Sequence, residues 1–411
     1  MTIYKRRLRD YLVKALSDTP VVALLGARQC GKTTLSLTFV PEYEYFTFDD
    51  IATLTFARSD PIGFVASLPS KVILDEIQRV PELLMVIKRA VDKNRSPGRF
   101  LITGSANLLL LPTLSESLAG RMEILELEPL SACELAGSDG NFLHALINGD
   151  LKPVLKETSI EPIVDIVNRT AIGGFPEAIA REPERARAWH RSYLRAIFER
   201  DIKDVANVRD PALVGHMLAL LAQRTGQLLN VSSLCKAMGL RRETIEHYLA
   251  VCERLYLVRR VPAWHRNPSR RIIKSAKIHI ADSGLATSII GLNTSQWMKH
   301  LEQFGHILES YVVQQIYAQA GWTSPHLQIW HYRDKDQNEV DIVITNGRDT
   351  WGLEVKASSS VTAEDGKGLR SLARECGADY RGGVILYNGS SIFPLNAGCS
   401  LAVPLSCLWN M

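Results

Sequence analysis

Directly after the apolar run Val21–Leu25, the sequence reads Gly26-Ala27-Arg28-Gln29-Cys30-Gly31-Lys32-Thr33-Thr34. This order matches G-x-x-x-x-G-K-[ST], the pattern of a phosphate-binding loop that joins a strand to a helix. The two glycines allow the backbone to curl so that its N–H groups point inward at an anion. Lys32 is expected to reach the β and γ phosphates of a nucleotide, and the Thr33 hydroxyl to help hold Mg²⁺. Residues 26–34 are therefore the predicted nucleotide-binding loop.

The length and composition indicate a globular protein of several domains. A chain of 411 residues with 46% hydrophobic and 22% charged residues is expected to form about two to four compact units. No apolar run approaches the roughly 20 residues that a membrane-spanning helix needs. The basic N-terminus lacks the apolar core of a secretion signal, and the seven cysteines include no C-x-x-C pair. We therefore expect a cytoplasmic protein with reduced thiols, no zinc site and no membrane partner.

The order of apolar runs predicts an α/β protein. Strands are expected at residues 21–25, 45–48, 72–74 and 100–103, with helical stretches between them. Such alternation builds a mainly parallel sheet. From about residue 131 the pattern is mostly helical, and from about residue 277 it returns to mixed α/β.

Two acidic residues follow the strand at 72–74. Asp75 is expected to hold the water shell of Mg²⁺, and Glu76 to polarise the water that attacks the γ-phosphate. The alternative is a surface strand whose acids only meet solvent. The phosphate-binding loop upstream favours the first interpretation.

The strand at 100–103 leads to a small hydroxyl residue, Ser105. In such folds the polar residue at this strand tip lies between the acidic strand and the γ-phosphate. Ser105 is therefore a candidate for orienting the attacking water, with Asn107 as a substitute. The alternative role for Ser105 is that of an ordinary helix N-cap.

Several further blocks resemble one family. In chain order they are 103–105 (Thr-Gly-Ser), 115–121 (Ser-Glu-Ser-Leu-Ala-Gly-Arg), 127–131 (Leu-Glu-Pro-Leu-Ser), 173–177 (Gly-Gly-Phe-Pro-Glu), 199–202 (Glu-Arg-Asp-Ile), 281–285 (Ala-Asp-Ser-Gly-Leu) and 354–356 (Glu-Val-Lys). Together they resemble a widespread group of prokaryotic AAA+ ATPases whose C-terminal half is a domain of unknown function. The resemblance covers nearly the whole chain, and it implies ATP and Mg²⁺ as cofactors and a ring of subunits.

In AAA+ rings one subunit's arginine completes its neighbour's site, and Arg121 is the position that resembles this arginine finger. A guanidinium supplied in trans neutralises charge that develops on the γ-phosphate. The alternative is a surface arginine paired with Glu116 or Glu123. A helical lid normally contributes another basic sensor, for which the candidates are Arg169, Arg181 and Arg200.

Residues 227–258 have the order of a winged helix-turn-helix. A short strand and a helix lead to a turn at Gly239, and a second helix with apolar residues three and four apart is followed by a strand. The second helix is expected to present four residues to a nucleic-acid groove, namely Arg241, Arg242, Thr244 and His247.

The following segment is basic, although the net charge of the whole chain is only +4. No acid occurs among its eight cations, which are Arg254, Arg259, Arg260, Arg266, Arg270, Arg271, Lys274 and Lys277. Such a run is typical of phosphate binding and favours DNA as a partner. The alternatives are a solvated basic face and a module used only for contacts between subunits.

The C-terminal part resembles a PD-(D/E)xK nuclease core, with Glu309 on a helix, Asp341 on a strand and Glu354-x-Lys356 on the next strand. The residues Glu309, Asp341 and Glu354 are the predicted Mg²⁺ ligands of this nuclease-like site, with Lys356 steering the attacking water. Glu339 shares the face of Asp341. The alternative is a nuclease-like fold that is kept for binding or assembly.

A hairpin signal, Asn346-Gly347, supports this grouping independently. With a four-residue loop Asp341 lies opposite Glu354, and with a two-residue turn it lies opposite Gly352. Both registers place Asp341, Glu354 and Lys356 on one face, because side chains alternate along a strand with period two.

These patterns predict an α/β protein with four parts. They are a P-loop AAA+ ATPase core at residues 1–130, a helical lid at 131–205, a winged-helix module with a basic extension at 206–276, and a restriction-endonuclease-like α/β domain at 277–411. The expected function is ATP hydrolysis by a homo-oligomeric ring that acts on or with DNA, branched or processed DNA above all. Two alternatives stay open: an ATP-regulated, metal-dependent DNA nuclease, and an ATP-dependent signalling or assembly switch with no DNA role.

Overall fold

Two units make up the part of the chain that the computed structural model describes, namely residues 3–105, 118, 120–154, 161–202, 208, 210–267, 275–395 and 400–411. The first unit runs to Pro129 and includes Glu253–Tyr256, and the second comprises Leu130–Cys252 and Leu257–Met411. The boundaries expected inside the second unit, after residues 205 and 276, stay a prediction. No helix within the described ranges is both long and apolar enough to cross a membrane.

A parallel sheet lies at the centre of the first unit. Its strands are β1 (Val21–Leu25), β2 (Glu44–Thr47), β3 (Val72–Asp75), β4 (Phe100–Gly104) and β5 (Met122–Glu126). They lie in the order β2-β3-β4-β1-β5, and all pairs are parallel. Every residue of β1, β3 and β4 is buried, as is typical of strands that helices cover on both faces. The carboxyl ends of these three strands therefore meet at one edge of the sheet.

Helices connect the strands of the first unit. They are α1 (Leu8–Asp18), α2 (Lys32–Ser36), α3 (Ile51–Ser59), α4 (Pro61–Ser67) and α5 (Leu83–Lys93). At the start of α4 the Asp60 carboxylate accepts from the Gly63 N–H, and Pro61 takes the first helical position. Helix α5 buries one face at helical spacing, through Leu83, Leu84, Ile87 and Val91.

The second unit begins with helices, as the sequence predicts after residue 131. They are α6 (Ala132–Ala136), α7 (Phe142–Asn148), α8 (Ile163–Ile172), α9 (Pro176–Ile179) and α10 (Pro183–Ala196), which continues as a π-helix over Ile197–Asp201. The glycine turn after α8 is held by the buried Asp282, whose carboxylate accepts from the Gly174 N–H at 2.7 Å.

Three helices and a small antiparallel sheet follow. The helices are α11 (Pro211–Ala222), α12 (Val231–Met238) and α13 (Arg242–Arg254), and the strands are β6 (Gln227–Leu228), β7 (Val258–Val261) and β8 (Lys277–Ile280). The sheet has the order β6-β8-β7. Gly239, with φ +65°, ends α12 in the left-handed conformation that glycine adopts without strain.

The remaining helices are α14 (Ser283–Ile290), α15 (Thr294–Trp297), α16 (Leu301–Thr323), α17 (Lys367–Cys376) and α18 (Cys407–Asn410). The strands β9 (Leu327–Arg333), β10 (Glu339–Asn346), β11 (Asp349–Val355), β12 (Tyr380–Tyr387), β13 (Phe393–Leu395) and β14 (Ser400–Pro404) form one sheet. Its order is β13-β14-β12-β11-β10-β9, with β11 and β12 parallel and α17 between them in the chain.

The hairpin of β10 and β11 has one of the two registers considered above. Ile342 lies opposite Leu353, and Asn346 lies opposite Asp349. This is the register in which Asp341 is expected opposite Glu354, but the strands pair as far as Asn346 and Asp349, so a two-residue turn at Gly347 and Arg348 replaces the expected four-residue loop. The turn contains Gly347 at φ +60°, a conformation that suits glycine.

Candidate nucleotide-binding site

The predicted phosphate-binding loop lies between β1 and α2, at the carboxyl edge of the parallel sheet. Gly26 has φ +153° and Gly31 has φ +107°, values that residues with a Cβ rarely adopt. A Cβ at Gly26 would also lie 2.3 Å from the carbonyl oxygen of Leu127. Conformation and close packing therefore both require glycine at position 26.

Lys32 lies inside the curve of this loop. The residue is only 4% exposed. Its ammonium donates to the carbonyl oxygens of Gly26 at 2.9 Å and Ala27 at 2.8 Å. The charge is thus held where backbone N–H groups and the start of α2 favour an anion, as expected for a phosphate ligand.

The buried Arg6 fixes the loop from the N-terminal segment. Its guanidinium donates through Nη1 to the Cys30 carbonyl at 2.7 Å and through Nη2 to the Glu128 carbonyl at 2.6 Å. Charge-assisted hydrogen bonds of this kind are stronger than neutral ones. Arg6 therefore ties the second half of the loop to the segment that follows β5.

The Asp75 carboxylate accepts hydrogen bonds from three side chains of the site. Its carboxylate is 3% exposed and accepts from Thr33 Oγ1 at 2.9 Å and from Tyr45 Oη at 2.6 Å, both at Oδ2. Thr103 Oγ1 donates to the other oxygen, Oδ1. Burial and the bond to Asp75 raise the pKa of the Tyr45 phenol, so Tyr45 stays a donor. The two predicted Mg²⁺ residues, Thr33 and Asp75, are therefore in contact.

Glu76 and Ser105 are also brought together. Ser105 Oγ donates to Glu76 Oε2 at 3.1 Å, and Gln78 Nε2 donates to Ser105 Oγ at 2.8 Å and also contacts Glu76 Oε2. Glu76 has φ +61°, which is uncommon for a residue other than glycine and recurs at functional sites. The residues predicted to polarise and orient water thus share one small network. Asn107 lies outside the described residues.

Arg121 lies at the opposite edge of the same sheet. It precedes β5, and Met122 pairs with Val21 at the start of β1, whereas the loop follows the end of β1. Arg121 is level with the residue before Val21, and the loop begins at Gly26, so six steps of about 3.3 Å, or about 20 Å, separate them along the strand direction. The Arg121 guanidinium donates through Nε to Asp92 at 2.6 Å, and this bond lowers the pKa of Asp92. Asp92 is thus one partner of Arg121, and Glu116, one of the partners considered above, lies outside the described residues.

The candidate sensor arginines belong to the second unit. Arg169 pairs with Glu161 at 3.0 Å, and Arg181 pairs with Glu177 at 2.7 Å. Arg200 lies in the π-helix that continues α10. These contacts do not single out one sensor.

A second group of predicted site residues surrounds Lys277. This lysine is the first residue of β8, and its Nζ lies 2.8 Å from Glu309 Oε1, 2.7 Å from Glu339 Oε1 and 3.1 Å from Asp341 Oδ1. Burial alone would lower the pKa of Lys277, but the three carboxylates outweigh burial and hold its pKa well above the usual range. Lys277 is therefore charged.

Glu354 and Lys356 complete this acidic cluster. Lys356 Nζ pairs with Glu354 Oε1 at 2.9 Å, and the Val355 N–H donates to Asp341 Oδ2 at 2.9 Å. Burial, followed by the charge of Asp341, raises the pKa of Glu354 to about 8. No set of three or more His, Cys, Asp or Glu in the described ranges is arranged to hold a metal ion. In this arrangement Glu309, Asp341 and Glu354 do not fit a divalent ion, because the Lys277 ammonium lies among the carboxylates.

The predicted recognition helix, α13, presents part of its basic face to solvent. Arg241, Arg242 and His247 are exposed, while Thr244 is half-buried. The guanidinium of Arg242 lies 3.6 Å from the carboxylate of Glu246, which is a long contact. These side chains are accessible to a ligand.

The basic run after α13 is less available than its sequence indicates. Lys277, one of its eight cations, is buried among carboxylates. Arg260 pairs with Glu246 at 3.4 Å, and the Arg259 guanidinium lies 3.9 Å from the centre of the Tyr317 ring. The absence of acids in the local sequence was therefore misleading, because partners come from elsewhere in the chain. The cations Arg270, Arg271 and Lys274 lie outside the described residues.

Sequence reasoning missed three residues of the nucleotide site, namely Arg6, Tyr45 and Gln78. Arg6 acts over 24 and 122 residues of chain, which no local pattern shows. The position of Tyr45 near Asp75 could have been inferred from the alternation of side chains along β2. Thr47 pairs with Asp75 across β2 and β3, and alternation places Tyr45 on the same face as Thr47.

A family model for an AAA domain matches residues 18–136. Two models for domains of unknown function match residues 164–296 and residues 304–408. Among solved structures, the Walker-type ATPase PABY2304 of Pyrococcus abyssi is similar at 17% identity and a TM-score of 0.43, covering 70% of this chain and 96% of that one.

Two curated relatives match over almost the whole length. The uncharacterized protein Rv2008c of Mycobacterium tuberculosis is 30% identical over 405 residues, which are 96% of this chain and 82% of that protein. The uncharacterized protein Mb2031c of Mycobacterium bovis matches with the same values. This chain therefore belongs to the family of these two mycobacterial proteins, and residues 18–136 are its AAA-type P-loop ATPase domain.

Proposed function

We propose that the chain hydrolyses ATP at the interfaces of a homo-oligomeric ring that acts on or with DNA. The observation that carries the hydrolytic part is the pairing of Thr33 with Asp75 beside the network of Glu76 and Ser105. Residues for metal and residues for water thus lie at neighbouring strand ends, as phosphoryl transfer to water requires.

The residues have separate roles in the proposed reaction. Lys32 binds the β and γ phosphates in place of the loop carbonyls that it contacts. Thr33 and Asp75 would hold Mg²⁺, which when bound neutralises charge on the phosphates. Glu76 accepts a hydrogen bond from the attacking water, and Ser105 with Gln78 fixes the Glu76 carboxylate.

The position of Arg121 supports a site shared between subunits. Because Arg121 lies about 20 Å along the strand direction from the loop of its own chain, at the other edge of the sheet, it suits a neighbour's nucleotide better than its own. A ring of head-to-tail interfaces brings opposite edges of successive subunits together. In that arrangement the γ-phosphate of the neighbour would take the place of Asp92 as an acceptor of the guanidinium.

Mixing two inactive variants tests this assignment. Lys32→Ala keeps Arg121, and Arg121→Ala keeps the loop, so a mixed interface contains one complete site. In a random 1:1 mixture about one quarter of interfaces are complete, since each of two positions holds the required variant half of the time. We expect the mixture to regain about that share of wild-type ATP turnover, while each variant alone stays inactive. A mixture no more active than its components would exclude a finger in trans.

The order of elements over α11–β8 supports the DNA part of the proposal. Helix α11, β6, α12, α13, β7 and β8 follow the order of a winged helix, and their sheet has the order β6-β8-β7. Helix α13 would be the recognition helix, with Arg241, Arg242 and His247 exposed. The basic run itself carries less weight, because Lys277, Arg259 and Arg260 have partners within the protein.

ATPase rates with and without linear, flapped and forked DNA test the DNA role. We expect DNA to change the rate of the wild type. The double variant Arg241→Ala/Arg242→Ala should bind DNA more weakly. In a plot of the logarithm of affinity against the logarithm of salt concentration, its slope should be smaller in magnitude by about 1 to 2. The matched control Arg185→Ala/Arg191→Ala removes two exposed arginines from α10 and should behave as the wild type. No DNA binding by the wild type even at low salt would instead favour a switch with no DNA role.

A further inference from the structure

The acidic cluster is assembled around one ammonium group. Glu309 comes from α16, Glu339 and Asp341 from β10, and Lys277 from β8. Three carboxylate oxygens lie within 3.1 Å of Lys277 Nζ, each from a different residue. An ammonium has three N–H donors, so each donor has one carboxylate acceptor.

The position of Lys277 is enclosed. Its side chain is 2% exposed and that of Glu309 is 7% exposed. Glu309 and Asp341 would repel each other in a buried site without a cation between them, and unpaired buried charge is strongly unfavourable. The lysine therefore supplies the positive charge that keeps these carboxylates together.

A divalent ion cannot share this place with Lys277. Protein oxygens bind Mg²⁺ at about 2.0–2.1 Å and Ca²⁺ at about 2.3–2.6 Å. The oxygens of Glu309, Glu339 and Asp341 already converge on Nζ at 2.7–3.1 Å. An ion bound by the same oxygens would overlap the ammonium nitrogen, and two cations would lie in contact.

The cluster also contains a carboxyl oxygen that Lys277 does not hold. Glu354 Oε2 is buried and has no hydrogen-bond partner among the residues that the structure describes. Its other oxygen is held by Lys356. The side chains of Glu309, Glu339, Asp341 and Glu354 thus lie in one cluster. Lys277 occupies the position of a bound cation among the first three.

We propose that Lys277 is a built-in cation that closes this carboxylate site to divalent metals, and that its removal turns the site into a divalent-cation site. The wild-type C-terminal sheet is then a binding or assembly module without metal-dependent phosphodiester cleavage. This inference is independent of the ATPase and DNA roles proposed above.

Titration of the full-length protein with Mn²⁺ by calorimetry tests the proposal. All proteins in the test carry Asp75→Asn, which removes the expected Mn²⁺ ligand at the nucleotide site. We expect the Asp75→Asn parent to bind no Mn²⁺ up to about 1 mM. Adding Lys277→Ala should create one site per chain with Kd below about 0.1 mM. A further Asp341→Asn substitution should abolish that site. The control Lys356→Ala removes the other lysine of the cluster and should create no site, because Lys277 remains.

Two results would overturn the proposal. One is Mn²⁺ binding by the Asp75→Asn parent that disappears on Asp341→Asn, since Lys277 would then move aside for metal. The other is a folded Lys277→Ala protein, verified by circular dichroism, that binds no Mn²⁺. If Lys277→Ala does not fold, the parent titration and Lys277→Ser, whose short side chain likewise leaves the Nζ position open, are judged by the same two results.

Discussion

Replacing Tyr45 by phenylalanine isolates one hydroxyl at the nucleotide site. The Tyr45 Oη donates to Asp75 Oδ2 at 2.6 Å, on the oxygen that also accepts from Thr33. Phenylalanine keeps the ring and its packing, so the change removes only this donor. We expect the Asp75 carboxylate to lose its preferred orientation toward Mg²⁺ and the phosphates.

The size of the effect follows from the bonds that remain. A hydrogen bond to a charged group contributes about 1.5–3 kcal/mol. Thr33 and Thr103 still donate to Asp75 in the variant, so the lower end applies. A loss of about 1.4 kcal/mol of transition-state stabilisation is a tenfold loss in rate. We therefore expect kcat/KM for ATP to fall about tenfold at limiting Mg²⁺, and less when Mg²⁺ is saturating.

Steady-state phosphate release over a range of Mg²⁺ concentrations measures this effect. Tyr43→Phe is the matched control, because it removes the same hydroxyl from a tyrosine whose Oη lies beside Gly98 and not at Asp75. Equal kcat/KM values for the two variants at every Mg²⁺ concentration would refute the role given to Tyr45.

Three further outcomes are expected. Arg6→Ala should weaken ATP binding about tenfold, because the loop loses the charge-assisted hydrogen bonds that Arg6 donates. Lys5→Ala, at an exposed site, should leave ATP binding unchanged. Equal ATP affinities for the two variants would contradict the role of Arg6. Gly26→Ala should abolish nucleotide binding and lower the thermal midpoint, because its Cβ would lie 2.3 Å from a carbonyl oxygen; wild-type affinity would show that the loop adapts. Burial lowers the pKa of His190 to about 3, so the unfolded state takes up a proton below pH 6.5 that the native state does not. The free energy of unfolding should therefore fall by about 2 kcal/mol between pH 7 and pH 5 relative to His190→Leu, measured by the fluorescence of the adjacent Trp189; an equal fall in both proteins would exclude His190 as the cause.

The elements of the first unit could be predicted from local sequence. Apolar runs of three to five residues became the buried strands β1, β3 and β4, and the loop between β1 and α2 follows the predicted order. The alternation of side chains in the hairpin likewise predicts that Asp341 and Glu354 share one face of the sheet, whichever of the two registers the strands adopt. These predictions depend only on neighbours in sequence and on the period of a strand.

Contacts between distant segments could not be predicted in the same way. Along β8, Lys277 and His279 alternate with Ile278 and Ile280, a pattern typical of a strand with one face in water. In the structure both faces are buried, because α16 brings Glu309 within 2.8 Å of Lys277. The local sequence therefore indicates a cation that is available to DNA, whereas the partners of Lys277 lie 32, 62 and 64 residues away in the chain.

The contacts of Lys277 also constrain how this family can diverge. Loss of the lysine alone would leave the buried Glu309 beside Asp341 without the ammonium that both contact, whereas loss of a carboxylate first removes part of that penalty. Substitutions at position 277 should therefore be tolerated only in sequences whose acids have already changed. Positions 277, 309, 339 and 341 are expected to covary among homologues, with the acids replaced before the lysine.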